Sequence, residues 1–393
     1  MGVYSEYLDK QNLGILLGDD LDFERKKELK RISEIRKRPV VVYASDMSKD
    51  NNAPISIDYS DIVPFADQLS MIEGEEVDII LETPGGISEI VEDLVNHIRS
   101  RFNKVGIIVP GMSKSAGTIF TMAADEILMG ELSTLGPIDV QIFMNGKHYS
   151  ADAFLEGLNK IIDESNKKQQ LDLAYIPLLQ SISPGEIQHC KNGQDFSKKL
   201  VTDWLVDYKF KFWEKHNSTG KEVTLEEKKE RALEIATKLC NHNHWLTHGR
   251  SIRINDLQEM GLQITDYSKH TELNDAINRY FTLLRMTFER SNVYKVYETP
   301  TSQVYRSTIP QPQIPIPPQS PNNTPNPILA NVKCIKCNAD LVLQINLGQE
   351  MPLQEGAIPF PKNNILRCPV CKHESSIKEL RQQIEIQFNK IVV

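Results

Sequence analysis

The sequence predicts an α/β protein built from repeated βαβ units, with a mostly helical extension and a small separate C-terminal unit. Short apolar, β-branched runs have the composition of buried strands and occur at residues 40–43, 77–81 and 105–109. Apolar residues recur at helical spacing in the intervals between these runs, at 61–72 and 87–102. This alternation is typical of parallel βαβ units.

Composition along the chain divides it into four regions. Residues 1–39 contain a basic amphipathic helix, which we expect to pack on the core rather than lie on a membrane surface. Residues 40–300 form the main domain with its helical extension. Residues 301–330 are rich in proline and form a linker, because this composition favours an extended chain over a packed core. Residues 331–393 form the last unit.

Charge and hydropathy exclude several classes of protein. A net charge of −8 argues against nucleic acid as the main partner of the whole molecule. No apolar stretch approaches the ~20 residues that span a bilayer, so we expect no membrane span. The N-terminus has no apolar signal-peptide core, and we therefore expect a cytoplasmic protein. Six cysteines in 393 residues do not indicate a disulfide scaffold.

Two turn segments each follow one of the predicted buried strands. Residues 83–86 (TPGG) end the second strand, and residues 112–118 (MSKSAGT) end the third and begin a helix. A Gly-Gly pair lets the backbone turn sharply and leaves an N–H group facing a substrate. A Ser followed by Ala-Gly at a helix start exposes its hydroxyl. Together the segments supply a nucleophile and an oxyanion hole, the two parts that acyl transfer needs.

The order and spacing of these segments resemble the Clp/crotonase superfamily of serine peptidases, which includes the Clp proteases and signal peptide peptidase A. Within it, the chain is most similar to the serine dehydrogenase proteinase family. The closer likeness is carried by residues 123–127 (AADEI), 135–139 (LGPID), 248–250 (HGR) and 261–262 (GL). It covers roughly residues 25–290. The resemblance implies a Clp/crotonase-like fold, a serine endopeptidase acting on polypeptides, and a homo-oligomer.

Ser115 is the predicted nucleophile. Ser113 is the alternative, but the chain should still be turning out of the strand at that position. The oxyanion hole would consist of the backbone N–H of Ala116, just after the nucleophile, and that of Gly86. We expect the substrate to be an extended peptide that pairs with the strand edge beside the Gly85-Gly86 turn.

The general base is harder to assign. Clp proteases have a His about two dozen residues after the nucleophile, and no His occurs here between Ser115 and Lys147. The resemblance to signal peptide peptidases implies a Ser-Lys pair instead, in which a desolvated Lys acts as the base. We choose Lys147, in a predicted loop that could reach back. The remaining candidates are Lys160, Lys167 and Lys168. Asp139 could orient a base or a substrate, or cap the following turn.

A second class of function stays open because the expected His is missing. A peptide-binding scaffold without hydrolytic activity, or an acyl-thioester enzyme, would use the same oxyanion hole without a covalent intermediate. The presence of Ser at the nucleophile position favours the peptidase, because only backbone N–H groups are needed in the thioester enzymes.

The C-terminal unit carries two Cys-x-x-Cys pairs. Their spacing predicts a zinc ribbon with a four-thiolate site formed by Cys334, Cys337, Cys368 and Cys371. Because a unit of this size has little core, the structural zinc would supply much of its folding free energy. Whether the ribbon recruits substrate, a protein or nucleic acid is open. Cys190 and Cys240 have no matching partners and are predicted to be buried.

Two further sets of residues are singled out by their pattern. His242, His244 and His248 lie close together in the sequence; we expect a structural role, with a metal site as the alternative. The helical extension has more apolar stripes than one packed face needs. The candidates for burial between subunits are Leu171, Leu173, Ile176, Leu178 and Leu179, and later Tyr280, Leu283, Leu284 and Phe288.

Overall fold

The computed structural model describes residues 2–12, 18–49, 53–144, 146–216, 219–308, 327–388 and 390–393. Contacts divide the chain into two compact units, Met1–Thr308 and Ile309–Val393. No helix in these described ranges is long and apolar enough to cross a membrane.

The larger unit is built on a seven-stranded sheet with strand order β11-β10-β1-β2-β3-β5-β9. Strands β1, β2, β3, β5 and β9 pair in parallel, whereas β10 is antiparallel to β1 and to β11. Two short strands, β4 and β6, pair in parallel outside this sheet, and β7 and β8 form a hairpin. The strands are β1 (Val40–Ser45), β2 (Glu76–Glu82), β3 (Lys104–Val109), β4 (Met112–Ser113), β5 (Glu126–Met129), β6 (Thr134–Leu135), β7 (Gln141–Met144), β8 (Lys147–Ser150), β9 (Thr265–Asp266), β10 (Val293–Glu298) and β11 (Gln303–Ser307).

Helices cover both faces of the sheet. They are α1 (Val3–Asn12), α2 (Gly18–Arg36), α3 (Ile62–Ser70), α4 (Ser88–Arg99), α5 (Ala116–Met122), α6 (Ala151–Lys168), α7 (Ile176–Gln180), α8 (Pro184–Trp204), α9 (Leu225–Cys240), α10 (His242–Trp245), α11 (Ile254–Glu259) and α12 (Thr271–Arg290). Apolar side chains of α3, α4, α5, α8 and α9 form one core layer, and those of α2 and α12 form the other. The predicted α/β fold of βαβ units with a helical extension is therefore confirmed.

The basic N-terminal helix predicted from the sequence is part of α2. Leu29 and Ile32 are completely buried against α12 and the sheet. Arg25 is also buried, and its guanidinium forms an ion pair with Glu298 on β10. The helix therefore packs on the core, as its apolar stripe predicts.

Helix α12 corrects one expectation about subunit contacts. Tyr280, Leu283, Leu284 and Phe288 are fully buried within the chain. They pack against α1, α2 and the apolar side chains on the second face of the sheet, which are shielded from water by this contact. These four residues are therefore not available to another subunit. By contrast, Leu171, Leu173 and Leu178 are exposed.

The start of the predicted linker also needs correction. Residues 303–307 form β11, which pairs with β10 at the edge of the central sheet. Val304 and Tyr305 pack on the apolar clusters of the two faces, so their burial holds this segment in the sheet. Most of the Pro-rich segment, 309–326, lies outside the described residues.

The C-terminal unit is a small β structure with one helix. Its elements are β12 (Ile328–Lys333), β13 (Asp340–Ile345), β14 (Ile358–Pro359), β15 (Ile365–Arg367), β16 (Glu374–Ser376) and α13 (Lys378–Phe388). Strands β12, β13 and β14 form one sheet, and β15 pairs with β16. Ile377 and Ile384 are buried in a small apolar cluster that also contains Cys334 and Cys368.

Candidate active site and metal centre

The two turn segments singled out in the sequence are joined by hydrogen bonds. The N–H of Thr83 donates to Met112 O at 3.0 Å, and the N–H of Lys114 donates to Thr83 O at 3.0 Å. Gly85 has φ of +98°, and a Cβ atom at this position would lie 2.7 Å from Ser115 Cβ and 3.0 Å from Ala116 N. Only glycine can therefore occupy position 85 while the two turns remain in contact.

Ser115 lies at the first turn of α5 with an unusual backbone conformation. Its φ is 51° and its ψ is −120°, a region that non-glycine residues rarely occupy. This conformation forms a sharp turn between strand and helix, of the kind that exposes a nucleophilic hydroxyl. The side chain makes no capping hydrogen bond, and no described residue bonds to its Oγ. Ser113 is completely buried and within hydrogen-bond distance of Thr121 Oγ1, which makes it the poorer candidate.

Two backbone N–H groups beside Ser115 have no acceptor among the described residues. They belong to Gly86 and Ala116, whereas the N–H of Gly85 donates to Thr83 Oγ1 at 3.2 Å. Gly86 is exposed, and Ala116 is the first residue of α5, where helix N–H groups have no partner within the helix. Two free N–H groups next to a serine hydroxyl fit an oxyanion hole.

One edge of the Gly85-Gly86 turn is occupied by the chain itself. The N–H of Ile57 donates to Gly85 O at 2.8 Å, and the N–H of Ile87 donates to Ile57 O at 3.0 Å. A Cβ atom on Gly86 would clash with the backbone of Ile57. These bonds do not use the N–H of Gly86, and the pairing of a substrate peptide beside this turn stays a prediction.

Glu82 fixes the base of both turns. It ends β2, and its Oε2 accepts the N–H of Met112 at 2.8 Å and that of Gly111 at 3.0 Å. Burial raises the pKa of Glu82 to about 8, although these two N–H groups oppose the shift. The two turn segments, residues 83–86 and 112–118, are thus tied through one buried carboxyl group.

A third segment, residues 135–139, lies against the start of α5. The N–H of Gly136 donates to Thr118 Oγ1 at 3.0 Å, and a Cβ atom on Gly136 would lie 3.4 Å from Ser115 N. Leu135 forms two backbone hydrogen bonds of 2.9 Å with Ile252, one in each direction. The chain around residues 248–252 is therefore brought beside the turn that carries Ser115.

Lys114 reinforces this contact. Its Nζ donates to Leu135 O at 2.8 Å, Arg250 O at 3.2 Å and Ser251 Oγ at 3.1 Å. Burial, together with the nearby charge of Arg253, lowers the pKa of Lys114 to about 8. The side chain thus links the residue before the nucleophile to the segment that follows His248.

Asp139 and two histidines form a cluster that the sequence did not predict. The Nδ1 of His248 lies 2.7 Å from Asp139 Oδ1, and the Nδ1 of His242 lies 3.0 Å from Asp139 Oδ2. Burial would raise the pKa of Asp139, but hydrogen bonds from His248 and His242 outweigh it and hold that pKa below its usual value. Asp139 is therefore a buried carboxylate that orients imidazoles.

One sequence signal could have indicated this pair. Asp139 occurs about two dozen residues after Ser115, where Clp proteases have their His, and His248 belongs to the HGR segment of the resembled family. Along this chain the acid, Asp139, therefore comes before the imidazole, His248, and stands where Clp proteases have their His. Only the folded structure brings them together.

The lysines proposed as the base lie on β8 and α6. Lys147 begins β8 instead of lying in a loop, because Gly146, with φ of +75°, closes a hairpin with β7. Its side chain is outside the described part of the structure. Lys160, Lys167 and Lys168 are exposed on α6, so they lack the burial that would lower the pKa of a lysine.

The four cysteines of the C-terminal unit converge. Their Sγ atoms all lie within 4.8 Å of one another, with 3.6 Å between Cys334 and Cys371 and 3.8 Å between Cys337 and Cys368. A tetrahedral zinc site with Zn–S bonds of ~2.3 Å has Sγ atoms ~3.8 Å apart, so the geometry fits this metal. Within the described ranges, no other group of three or more His, Cys, Asp or Glu could hold a metal ion. Cys190 and Cys240 are buried, as predicted.

Comparison with known proteins gives two curated relatives, both from Methanocaldococcus jannaschii. Uncharacterized protein MJ1495 is 26% identical over 192 residues, which are 49% of this chain and 53% of the relative. Uncharacterized protein MJ0137 is 27% identical over 168 residues, which are 42% of this chain and 54% of the relative. The chain thus spans about half the length of the curated relatives it matches.

Two solved structures show a weaker likeness. A mutant of the 1510-N membrane-bound stomatin-specific protease is 14% identical, with a TM-score of 0.32 over 56% of this chain and 79% of that one. A probable enoyl-CoA hydratase/isomerase from Mycobacterium abscessus is 11% identical, with a TM-score of 0.20 over 50% and 90% of the two chains. Scores this low carry no conclusion about the site.

The family comparison is more direct. Residues 53–221 match the model described as ClpP-like SDH-type serine proteinase. This range contains both turn segments and Asp139, whereas His248 lies beyond it. The resemblance predicted from the sequence is thereby confirmed over residues 53–221.

Proposed function

We propose that the chain is a serine endopeptidase that cleaves polypeptides with Ser115 as its nucleophile. The observation that supports this proposal most strongly is the contact between the two turns, residues 83–86 and 112–118. Ser115 begins α5 in a strained conformation, and the N–H groups of Gly86 and Ala116 have no described acceptor. A hydroxyl beside free N–H donors is the arrangement that acyl transfer requires. The family match over residues 53–221 supports the same class of reaction.

The proposed base is His248, oriented by Asp139. Asp139 Oδ1 accepts the Nδ1–H of His248, which leaves Nε2 free to take a proton. Its proximity to Ser115 is supported by the contact between Lys114 Nζ and Arg250 O, two residues beyond His248. Lys147 remains the second candidate, as the base of a Ser-Lys pair.

The reaction then follows from the roles of these groups. Ser115 Oγ bonds to the carbonyl carbon of a peptide bond while its proton passes to Nε2 of His248. The N–H groups of Gly86 and Ala116 stabilise the negative charge on the carbonyl oxygen. The imidazolium gives its proton to the leaving nitrogen as the C–N bond breaks. Water, deprotonated by His248, attacks the acyl-enzyme, releases the new carboxyl group and restores the Ser115 hydroxyl.

A serine-reactive fluorophosphonate, with the adduct mapped by peptide mass spectrometry, tests this function. The wild-type protein is expected to carry one adduct, on Ser115. Ser115→Ala should abolish both labelling and peptide hydrolysis while leaving the thermal melt nearly unchanged, since it removes one hydroxyl. Ser113→Ala is the matched control and should still be labelled. An unlabelled wild-type protein that binds peptides or hydrolyses acyl thioesters would favour the second class of function.

The identity of the base is tested by two further variants. His248→Ala is expected to reduce labelling by about a hundredfold or more, the contribution of general base catalysis. Lys147→Ala should then be labelled at nearly the wild-type rate. The reverse pattern would assign the base to Lys147 and leave Asp139 and His248 with a structural role.

We also propose that the C-terminal unit is a zinc ribbon with one structural zinc held by its four cysteines. Four thiolates close the coordination shell of zinc, and the Sγ spacing supports this metal. When bound, the metal would supply folding free energy to a unit whose own apolar cluster is small. Elemental analysis of the purified protein should find about one zinc per chain.

A further inference from the structure

Asp139 contacts two imidazoles, although the proposed reaction needs only one. Its Oδ1 faces His248, and its Oδ2 faces His242 at 3.0 Å. The Nε2 of Gln141 also donates to Oδ2, at 2.9 Å. Every oxygen of this buried carboxylate is therefore engaged, and the role of His242 is not explained by the reaction itself.

His242 is held firmly in its position. Its backbone N–H donates to Asp152 Oδ2 at 3.1 Å, and Asp152 is in turn held by Gln194. Asn241 caps α10 by accepting the N–H of His244. The side chain of His242 is only 22% exposed. Because both its backbone and its ring are bonded, His242 can fix the orientation of Asp139 from a rigid support.

We propose that His242 is a positioning residue, which holds Asp139 Oδ2 so that Oδ1 faces the base His248. This inference rests on the proposed function, because it assigns His242 a role in the same site. His242 acts through Asp139 and does not touch the substrate.

Three substitutions of His242 separate positioning from packing. The Nδ2 of an asparagine lies near the position of Nδ1 in histidine, so His242→Asn keeps a donor to Asp139 but cannot be protonated. The side chain of glutamine is one methylene longer, so His242→Gln moves the amide away from the position of Nδ1. His242→Ala removes the donor altogether. His244→Ala is the matched control, because His244 contacts Trp245 edge to face and is not bonded to Asp139.

The experiment measures fluorophosphonate labelling of the full-length protein against probe concentration. His242→Ala should lower the maximal labelling rate about tenfold, the factor expected for one hydrogen bond, with the concentration for half-maximal rate unchanged. His242→Asn should restore most of that rate, and His242→Gln should not.

The outcomes distinguish this inference from the function on which it rests. If Ser115 or His248 variants label like the wild type, or if the wild type takes no label, the proposed site itself fails. If His248→Ala is inactive while His242→Ala keeps the wild-type rate, only the role of His242 is overturned. If His242→Asn is as slow as His242→Gln, His242 serves packing alone.

Discussion

The two compact units of the chain hold their functional side chains by different means. In Ile309–Val393, two short loops bring together four cysteines that are paired locally in the sequence. In Met1–Thr308, the site is assembled from three turns and a segment more than a hundred residues away, and a large apolar core positions them. The smaller unit should therefore depend on its metal, whereas the larger one should depend on close packing between turns.

Metal removal should have the largest effect and should be confined to one unit. A strong chelator is expected to unfold the C-terminal unit, because structural zinc supplies about 10 kcal/mol or more in small zinc domains. Thiol titration should then detect the four ligand cysteines, while Cys190 and Cys240 stay protected. The rate of fluorophosphonate labelling should not change.

A truncated chain ending near residue 308 tests whether the zinc belongs to the C-terminal unit alone. It should carry no zinc and should still label. Zinc retained by the truncated chain would contradict the assignment of the metal to the ribbon. It would point instead to the histidines near Asp139.

A methyl group at Gly85 should abolish most of the labelling at Ser115 while the larger unit stays folded. Gly85→Ala places a Cβ atom 2.7 Å from Ser115 Cβ and 2.5 Å from Lys114 O, which forces the two turns apart. We expect labelling to fall by about a hundredfold or more, since the oxyanion donors lose their alignment with the nucleophile.

Gly74→Ala is the matched control for backbone strain. Gly74 has φ of +92°, close to the +98° of Gly85, but a Cβ atom there has no neighbour within 4 Å. Both variants should lose stability, by about 1 kcal/mol or more for an alanine at positive φ, but only Gly85→Ala should lose labelling. Equal labelling of the two variants would show that the turns need not touch.

Fold and site differ in how far the sequence predicts them. The βαβ pattern and the two turns follow from local signals, since strand runs, Gly-Gly and a Ser at a helix start are short-range features. Pairing of Asp139 with His248 spans 109 positions, and no periodicity encodes such a contact. Tyr280 and Phe288 were misassigned to a subunit interface for a related reason: an apolar stripe does not reveal whether α2 or another chain covers it.

Assembly of the larger unit into a homo-oligomer stays a prediction. Leu173 and Leu178 are 76% and 50% exposed, and apolar residues this exposed are candidates for contact between subunits. Light scattering should give a mass at least twice the 44.7 kDa of one chain. Leu173→Glu should lower that mass, and a wild-type monomer that still cleaves peptides would contradict the prediction.

Glu82 should affect the pH dependence of stability. Its pKa is raised from 4.5 to about 8 in the folded chain, so the unfolded chain loses this proton first as pH rises. The contribution of Glu82 to stability is therefore fully present below about pH 4.5 and is lost by about pH 8. Between pH 5 and pH 8, the melting temperature of Glu82→Gln should fall less than that of the wild type; equal slopes would contradict this.

The central claim is that Ser115 is a nucleophile activated by the Asp139–His248 pair. The most direct measurement is the second-order rate constant for fluorophosphonate labelling of Ser115 in the wild type and in His248→Ala at neutral pH. The account predicts that this rate constant falls by about a hundredfold or more in the variant, with both proteins melting at similar temperatures. An unchanged rate constant on Ser115, or an adduct on a different residue, would contradict it.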